Sequence, residues 1–249
     1  MSAVGFIDHF SKHSGVYAQS RPTYPDEIFR ELARLAPGRS HAWDCATGSG
    51  QAAIGLARHF ERVEATDASA QQIENAIATP GVAFSVQPAE ATGFAEESFD
   101  AICVAQALHW FDVVRFYAEA KRVLRPRGLL LVVGYDRSRF EPAIELEFDR
   151  AVLAPLKPHW PKQNQLLWDG YKDLPFPFTP VDFHAPDIEL DWTLEELLGY
   201  VASWSATRAL LALQPAFLEQ ARAALAPSWG AGSRRVTMPL HVKCGRHAG

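Results

Sequence analysis

The sequence predicts an α/β fold built on a parallel, doubly wound sheet, and three observations carry that expectation. The first is Trp43-Asp44-Cys45-Ala46-Thr47-Gly48-Ser49-Gly50-Gln51. Apolar residues lead into a small-residue turn there, and an Ala-rich helical segment, Ala52 to Phe60, leads out. The second is Leu129 to Tyr135, a nearly continuous apolar run such as a strand buried on both faces requires. The third is the alternation of strand-like and helix-like segments along the chain between them.

Residues 1–24 carry Phe6, Ile7, Phe10, Val16, Tyr17 and Tyr24, too many apolar groups for a disordered tail, and read as an arm. Pro25 suits a first helical position, and Ile28, Phe29, Leu32 and Leu35 follow at helical spacing until Pro37-Gly38. A short strand covers Ala42 to Cys45, and Arg62 to Asp67 is a second strand that ends in an acid. Ala70 to Ala78 reads as a helix stopped by Pro80-Gly81, Val82 to Val86 as a strand, and Phe99 to Ala105 as another. An amphipathic helix from Asp112 to Leu124 ends at Pro126-Arg127-Gly128, before the fifth strand.

The alternation breaks after Asp136. Residues 137–178 hold Arg137, Arg139, Trp160, Trp168, several prolines and a helical stretch near Glu141 to Leu153, and read as an insertion after strand five. A strand near Val181 to Leu190 precedes Thr193-Leu194-Glu195-Glu196, a capping-box match that opens a helix running to Trp204. A further helix lies around Pro215 to Leu225, and Arg235 to Lys243 reads as a final strand. The expected anatomy is a single domain over 1–249: an arm (1–24), a core (25–136), the insertion (137–178) and C-terminal strands and helices (179–249).

At 249 residues and 48% hydrophobic content the chain can bury one full core. A net charge of −5 gives no basic footprint for nucleic acid. Cys45, Cys103 and Cys244 cannot all pair, and buried free thiols are the expectation. With no basic-then-apolar leader and no run long enough to span a bilayer, a soluble cytoplasmic protein is expected, without membrane partners. The nine histidines show no metal-ligand spacing, so no metal site is expected.

The glycine turn is the place to look for chemistry. A strand, a tight turn and a helix start in succession bring backbone N–H groups close to a ligand, and a nucleotide-like cofactor is the default expectation. Gly48-Ser49-Gly50-Gln51-Ala52-Ala53 also fits the relaxed dinucleotide pattern G-x-G-x-x-A, so the glycines alone do not name it. Asp44 stands where a dinucleotide would place its pyrophosphate, and an anion there repels phosphate and suits a cationic amine. Asp67, one strand on, is placed to accept both hydroxyls of a ribose. Together they describe S-adenosylmethionine better than NAD.

Asp44-x-Ala46-x-Gly48-x-Gly50, Asp67-Ala68-Ser69, Pro88-Ala89-Glu90 and Ser98-Phe99-Asp100-Ala101 resemble the successive motifs of class I S-adenosylmethionine-dependent methyltransferases. Within that class the chain is similar to the type-11 branch, near enzymes that esterify small carboxylic acids such as trans-aconitate. The resemblance is specific from about Phe10 to Asp136. It implies a Rossmann-like, seven-stranded, mostly parallel sheet whose antiparallel last strand hairpins beside the sixth, and a substrate cover after strand five. It implies that Tyr17 and Arg21, in Tyr17-Ala18-x-x-Arg21-Pro22-x-Tyr24-Pro25, face the methionyl end of the cofactor. It also puts Ala89 and Glu90 beside the adenine.

Candidate cofactor-binding residues are therefore Tyr17, Arg21, Asp44, Ala46, Gly48, Gly50, Asp67, Ala68, Ala89, Glu90 and Gln106. His109, Trp110 and Tyr135 lie at carboxyl ends of strands, where open α/β sheets place ligands, and Arg137 and Arg139 follow strand five. These five are the candidate substrate residues, with either arginine able to clamp an anion. Asp44 and Asp67 also make sense as turn and cap residues, and His109 as a packed loop residue. No catalytic dyad is assigned, because methyl transfer from a sulfonium asks mainly for alignment and exclusion of water. The expected enzyme takes a small organic acceptor, with a carboxylic acid as the class to test first. The alternatives are an NAD(P)-linked oxidoreductase and a cofactor-binding protein without catalysis.

Overall fold

A parallel pair of strands cannot be closed by a tight hairpin, so each strand of the first half must be followed by a crossover. The computed structural model describes residues 21–248 and shows this arrangement. Helix α1 (Asp26–Leu35) turns Ile28, Phe29, Leu32 and Ala33 inward. It leads to β1 (His41–Cys45), α2 (Gln51–Leu56), β2 (Arg62–Asp67), α3 (Ala70–Glu74), β3 (Val82–Val86) and β4 (Phe99–Ala105). A 3-10 turn, Leu108–Trp110, then precedes α4 (Val113–Val123) and β5 (Leu124–Tyr135).

Past strand five come α5 (Pro142–Phe148), a π-helical turn over Asp149–Leu153, α6 (Ala154–Leu156), α7 (Asn164–Trp168) and β6 (Thr179–Pro180). The chain ends with β7 (Ile188–Trp192), α8 (Leu194–Ala202), α9 (Ser205–Leu211), α10 (Phe217–Trp229), β8 (Arg234–Met238) and β9 (Leu240–Arg246).

The main sheet has seven strands in the order β3-β2-β1-β4-β5-β9-β6. Strands β1 to β5 run parallel, β9 is antiparallel to β5, and β6 is antiparallel to β9. The expected Rossmann-like sheet, mostly parallel with an antiparallel strand near its end, is therefore found. Strand order reverses at β1, with β2 on one side and β4 on the other. The crevice beyond the carboxyl ends of β1 and β4 is the topological switch point.

Three apolar clusters hold the layers together. One packs α1 and α2 on the sheet through Ile28, Leu32, Ala53 and Leu56; another sets Phe116, Tyr117 and Val123 of α4 against Trp43 and Leu130. The third joins the insertion to the C-terminal helices through Ile144, Phe148, Leu197, Trp204 and Trp229, with Tyr135 at its sheet side.

Several boundaries differ from the sequence expectation. The final strand is not one piece hairpinned to a strand at 181–190. Strand β8 pairs antiparallel with β7 in a separate two-stranded ribbon, while β9 crosses into the main sheet between β5 and the short β6. Pro239 separates β8 from β9, has no N–H for a ladder, and ends the ribbon there. Pro126-Arg127-Gly128 does not precede strand five but bulges within it. The pairing jumps from Phe99 opposite Leu124 to Ala101 opposite Leu129, and Arg127 takes a φ of 67°.

The capping box is present: Thr193 Oγ1 accepts the Glu196 amide, and the Glu196 carboxylate accepts the Thr193 amide at 2.7 Å. Thr193→Ala is expected to cost about 1 kcal/mol. The check is a lower urea midpoint at unchanged slope.

Candidate active site

Asp44 is the penultimate residue of β1 and is buried. Thr47 donates its hydroxyl to Asp44 Oδ2 at 2.5 Å, while Oδ1 meets no donor among the described residues. Burial pushes the Asp44 carboxyl up to about 7, with the Thr47 hydrogen bond opposing it and the nearby Asp67 charge adding to it. The chain then turns sharply. Ala46 and Gln106, at the ends of neighbouring β1 and β4, both take left-handed backbone angles, φ 57° and 54°. Such angles are strained for non-glycine residues and cluster where a fold shapes a ligand site.

Gly50 caps α2 at φ 91°, and a Cβ there would stand 3.1 Å from the Phe84 ring. Gly48, at φ 56°, would place its Cβ in open space. The turn therefore presents bare backbone to the crevice.

Asp67 ends β2 facing this turn. Its Oδ2 accepts the Gly48 amide at 3.0 Å and its Oδ1 the Ser69 amide at 2.9 Å. Ala68 follows, exposed, and Ser69 caps α3. Ala89 is buried, and Glu90 Oε1 accepts the amide of Asp112 at the start of α4, which ties the 88–90 loop to that helix. Gln106 is tied down as well: its Oε1 accepts the Tyr135 amide at 3.1 Å.

A second group lies on the β4–β5 side. His109 is buried in the 3-10 turn, with Nδ1 3.0 Å from the Tyr171 hydroxyl and the Trp110 ring 4.7 Å away. Burial and, behind it, the positive charge of Arg21 push His109 down to about 4, so the imidazole is neutral at pH 7. Arg21 Nη1 donates to the Tyr135 hydroxyl at 2.8 Å, and its guanidinium lies 5.9 Å over the Tyr200 ring. The Tyr24 ring is 6.1 Å from Tyr135, and its buried hydroxyl has no partner among the described residues.

Arg21, Tyr24, Tyr135 and Tyr200 thus form one polar–aromatic cluster, and the charge of Arg21 reaches His109, which is bonded to Tyr171. Arg137 and Arg139 are not part of it. Both are exposed; Arg137 pairs with Glu145 at 3.3 Å and Asp149 at 3.4 Å, and Arg139 approaches Asp136 at 3.9 Å and Glu145 at 3.8 Å. Of these acids Glu145 lies on α5 and Asp149 in the π-helical turn after it, and only the fold decides where that helix docks. Tyr17 lies outside the described residues.

Tyr171 and Tyr200 had no signal in the sequence as site residues. Tyr171 sits in the proline-rich insertion, 62 positions from the histidine it touches. A half-open cleft of about 400 Å³ lies between Arg21–Thr23 and the β7–α8 junction at Trp192 and Glu195. Its walls include Arg21 but neither the glycine turn nor Asp67, so it is not the crevice at the switch point.

A bare-backbone turn flanked by two strand-end acids, at the switch point of a doubly wound sheet, defines a Rossmann-like protein built to bind a nucleotide-type cofactor with a cationic part. The methyltransferase-domain family profile matches residues 43–132, which hold both acids and the turn. A relative from Dictyostelium discoideum, provisionally named a methyltransferase, is 30% identical over 83% of this chain and 80% of its own. A solved structure from Anaeromyxobacter dehalogenans, provisionally named a type II methyltransferase, superposes with a TM-score of 0.85 at 40% identity. It covers 91% of this chain and 98% of that one. A Saccharomyces cerevisiae protein named as a probable S-adenosylmethionine-dependent methyltransferase is 25% identical over 77% of this chain and 78% of its own.

The chain belongs to the type-11 family of class I methyltransferases, and its cofactor is S-adenosylmethionine. The site fits that cofactor. The buried Asp44 Oδ1 lacks a donor and the space beside Gly48 is open. Among the described residues no cluster of His, Cys, Asp and Glu could hold a metal ion, and no helix is long and apolar enough to cross a membrane.

Proposed function

We propose that this methyltransferase esterifies a small organic acid, taken up as its carboxylate, in the cytoplasm. The observation that carries the reading is the state of His109: neutral, with its ordinary pKa of 6.5 lowered to about 4, and bonded to a tyrosine hydroxyl instead of a carboxylate. An imidazole so placed is a poor proton acceptor for a phenol or an ammonium. A carboxylic acid with a pKa near 4 has already lost its proton at pH 7 and needs no base.

S-adenosylmethionine, when bound, supplies a methyl group already activated on a sulfonium. The protein's part is then binding, alignment and exclusion of water. In this reading Ala46, Gly48 and Gly50 bring backbone close, Asp44 answers the ammonium group, and Asp67, with Ala68 beside it, accepts ribose hydroxyls. Ala89 and Glu90 border the adenine, and Gln106 holds the ends of β4 and β5 together beneath it. Arg21, with Tyr17 from outside the described residues, meets the methionyl end. His109, Trp110 and Tyr135 border the acceptor. Arg137 and Arg139 stay with their acidic neighbours and play no part in the clamp.

The test is a panel of small acids incubated with methyl-labelled cofactor at saturation. Methyl esters are expected, at a rate flat in pH above about 6 as the acceptor stays ionised. His109→Ala is expected to lower the rate by less than about a hundredfold, the low end for losing a general base. A rate climbing steeply toward alkaline pH, with His109→Ala abolishing turnover on an amine or phenol, overturns the acid reading.

A further inference from the structure

We propose that Tyr171 fixes His109 in one neutral form, with the proton on Nε2, and that this N–H donor makes the acceptor position selective for an anionic oxygen. The contact itself is a single hydrogen bond, Tyr171 hydroxyl to His109 Nδ1, at 3.0 Å. It can be made in two ways. Either the phenol donates to an unprotonated Nδ1, or a protonated Nδ1 donates to the phenol oxygen.

Hydrogen-bond satisfaction separates the two. In the second arrangement the Tyr171 O–H would need another acceptor, and His109 is its one hydrogen-bond partner among the described residues. A buried O–H left without an acceptor is costly, whereas the first arrangement uses it fully. Burial of Tyr171 raises its pKa, so the phenol keeps the proton it must donate. The proton of the neutral imidazole then sits on Nε2, on the ring edge turned away from Tyr171, where no hydrogen bond is made to a described residue.

Tyr171 is itself held in place. Its φ is 54°, its amide donates to Leu166 O at 2.8 Å, and its carbonyl accepts from Lys243 Nζ on β9 at 2.5 Å. The insertion and the last strand therefore aim the phenol that sets the imidazole. An Nε2–H on a ring that feels the positive charge of Arg21 offers a donor and no lone pair. A carboxylate oxygen is stabilised there, and an acceptor that must give up a proton finds nothing on His109 to take it. Tyr171 acts through His109 and is a positioning residue.

The substrate half of the inference rests on the small-acid reading; the protonation half does not. Two-bond nitrogen–proton spectra of the full chain, with His109 assigned by its loss in His109→Gln, read the form directly. The expected result at pH 7 is a neutral ring with the proton on Nε2, and a shift toward the Nδ1–H form in Tyr171→Phe. A wild-type ring protonated on Nδ1, or doubly protonated, overturns the proposal even if Tyr171→Phe fails to fold.

On whichever acid the panel methylates, His109→Gln keeps an N–H near the Nε2 position and should lose clearly less kcat/KM than His109→Leu. His109→Leu should lose roughly ten- to a hundredfold, mainly in KM, as for one hydrogen bond to a charged group. Equal losses in the two variants remove the donor role. A panel that yields no methyl ester removes the small-acid reading and the selectivity with it, while the nitrogen spectrum still judges the Tyr171–His109 arrangement.

Discussion

Asp44→Asn is expected to make the unloaded protein more stable at pH 8 while taking away most of its affinity for S-adenosylmethionine. The Asp44 carboxyl titrates near 7 in the fold against an ordinary value of 3.8. A carboxyl raised in this way contributes its stability below about pH 4 and loses it as pH rises through 7. At about 1.36 kcal/mol per pKa unit the rise is worth roughly 4 kcal/mol above pH 7. Asparagine removes that cost but buries an amide NH2 without a partner, which returns about 1–3 kcal/mol. A net gain of about 1–3 kcal/mol remains.

The affinity change has the opposite sign. Losing a charge-assisted contact to an ammonium group corresponds to about 1.5–3 kcal/mol, or ten- to a hundredfold in the dissociation constant. The wild-type carboxyl must also release its proton to bind a cation. Its affinity should rise close to tenfold per pH unit from about pH 5 to 7 and level off above, whereas the variant is flat. Calorimetry across that range, with thermal melts of both unloaded proteins, checks both signs. Equal wild-type affinity at pH 5.5 and pH 8 would falsify the role given to Asp44.

Asp67→Ala should weaken cofactor binding by one to two orders of magnitude, through lost hydrogen bonds from ribose hydroxyls to a charged acceptor. In the fold the same carboxylate accepts the Gly48 and Ser69 amides. The variant therefore also loosens the glycine turn, and the upper end of that range is expected. Asp67→Asn loses the charge and keeps one acceptor oxygen, enough for the Gly48 or the Ser69 amide but not both, so it should bind better than the alanine variant and worse than the wild type. A folded Asp67→Ala protein with unaltered affinity would rule out the ribose assignment.

Most of the core was legible in the sequence because its signals are local. The turn at Thr47–Gly50 needs glycines where φ is positive, and an acid at each strand end shows directly in the order of residues. Strands buried on both faces show as apolar runs, as Leu129–Tyr135 does. The motifs from Asp44 to Asp100 were enough to place the chain among class I methyltransferases, as the matched relatives bear out.

The surroundings of His109 were not legible, because its neighbours come from distant parts of the chain. Arg137 and Arg139 follow strand five at the spacing of an anion clamp, yet Asp136, Glu145 and Asp149 claim them once α5 docks. Tyr171 lies in an insertion without periodicity and reaches His109 with its backbone held by Leu166 and by Lys243 of β9. The split of the last strand at Pro239 decided that β9 enters the main sheet and sits under that residue. By itself the sequence determined the sheet, the glycine turn and the cofactor, since each rests on backbone conformation and short-range order. Which charges are paired and what surrounds His109 were decided by the tertiary structure alone, because burial and long-range pairing set the energies of charged and polar groups.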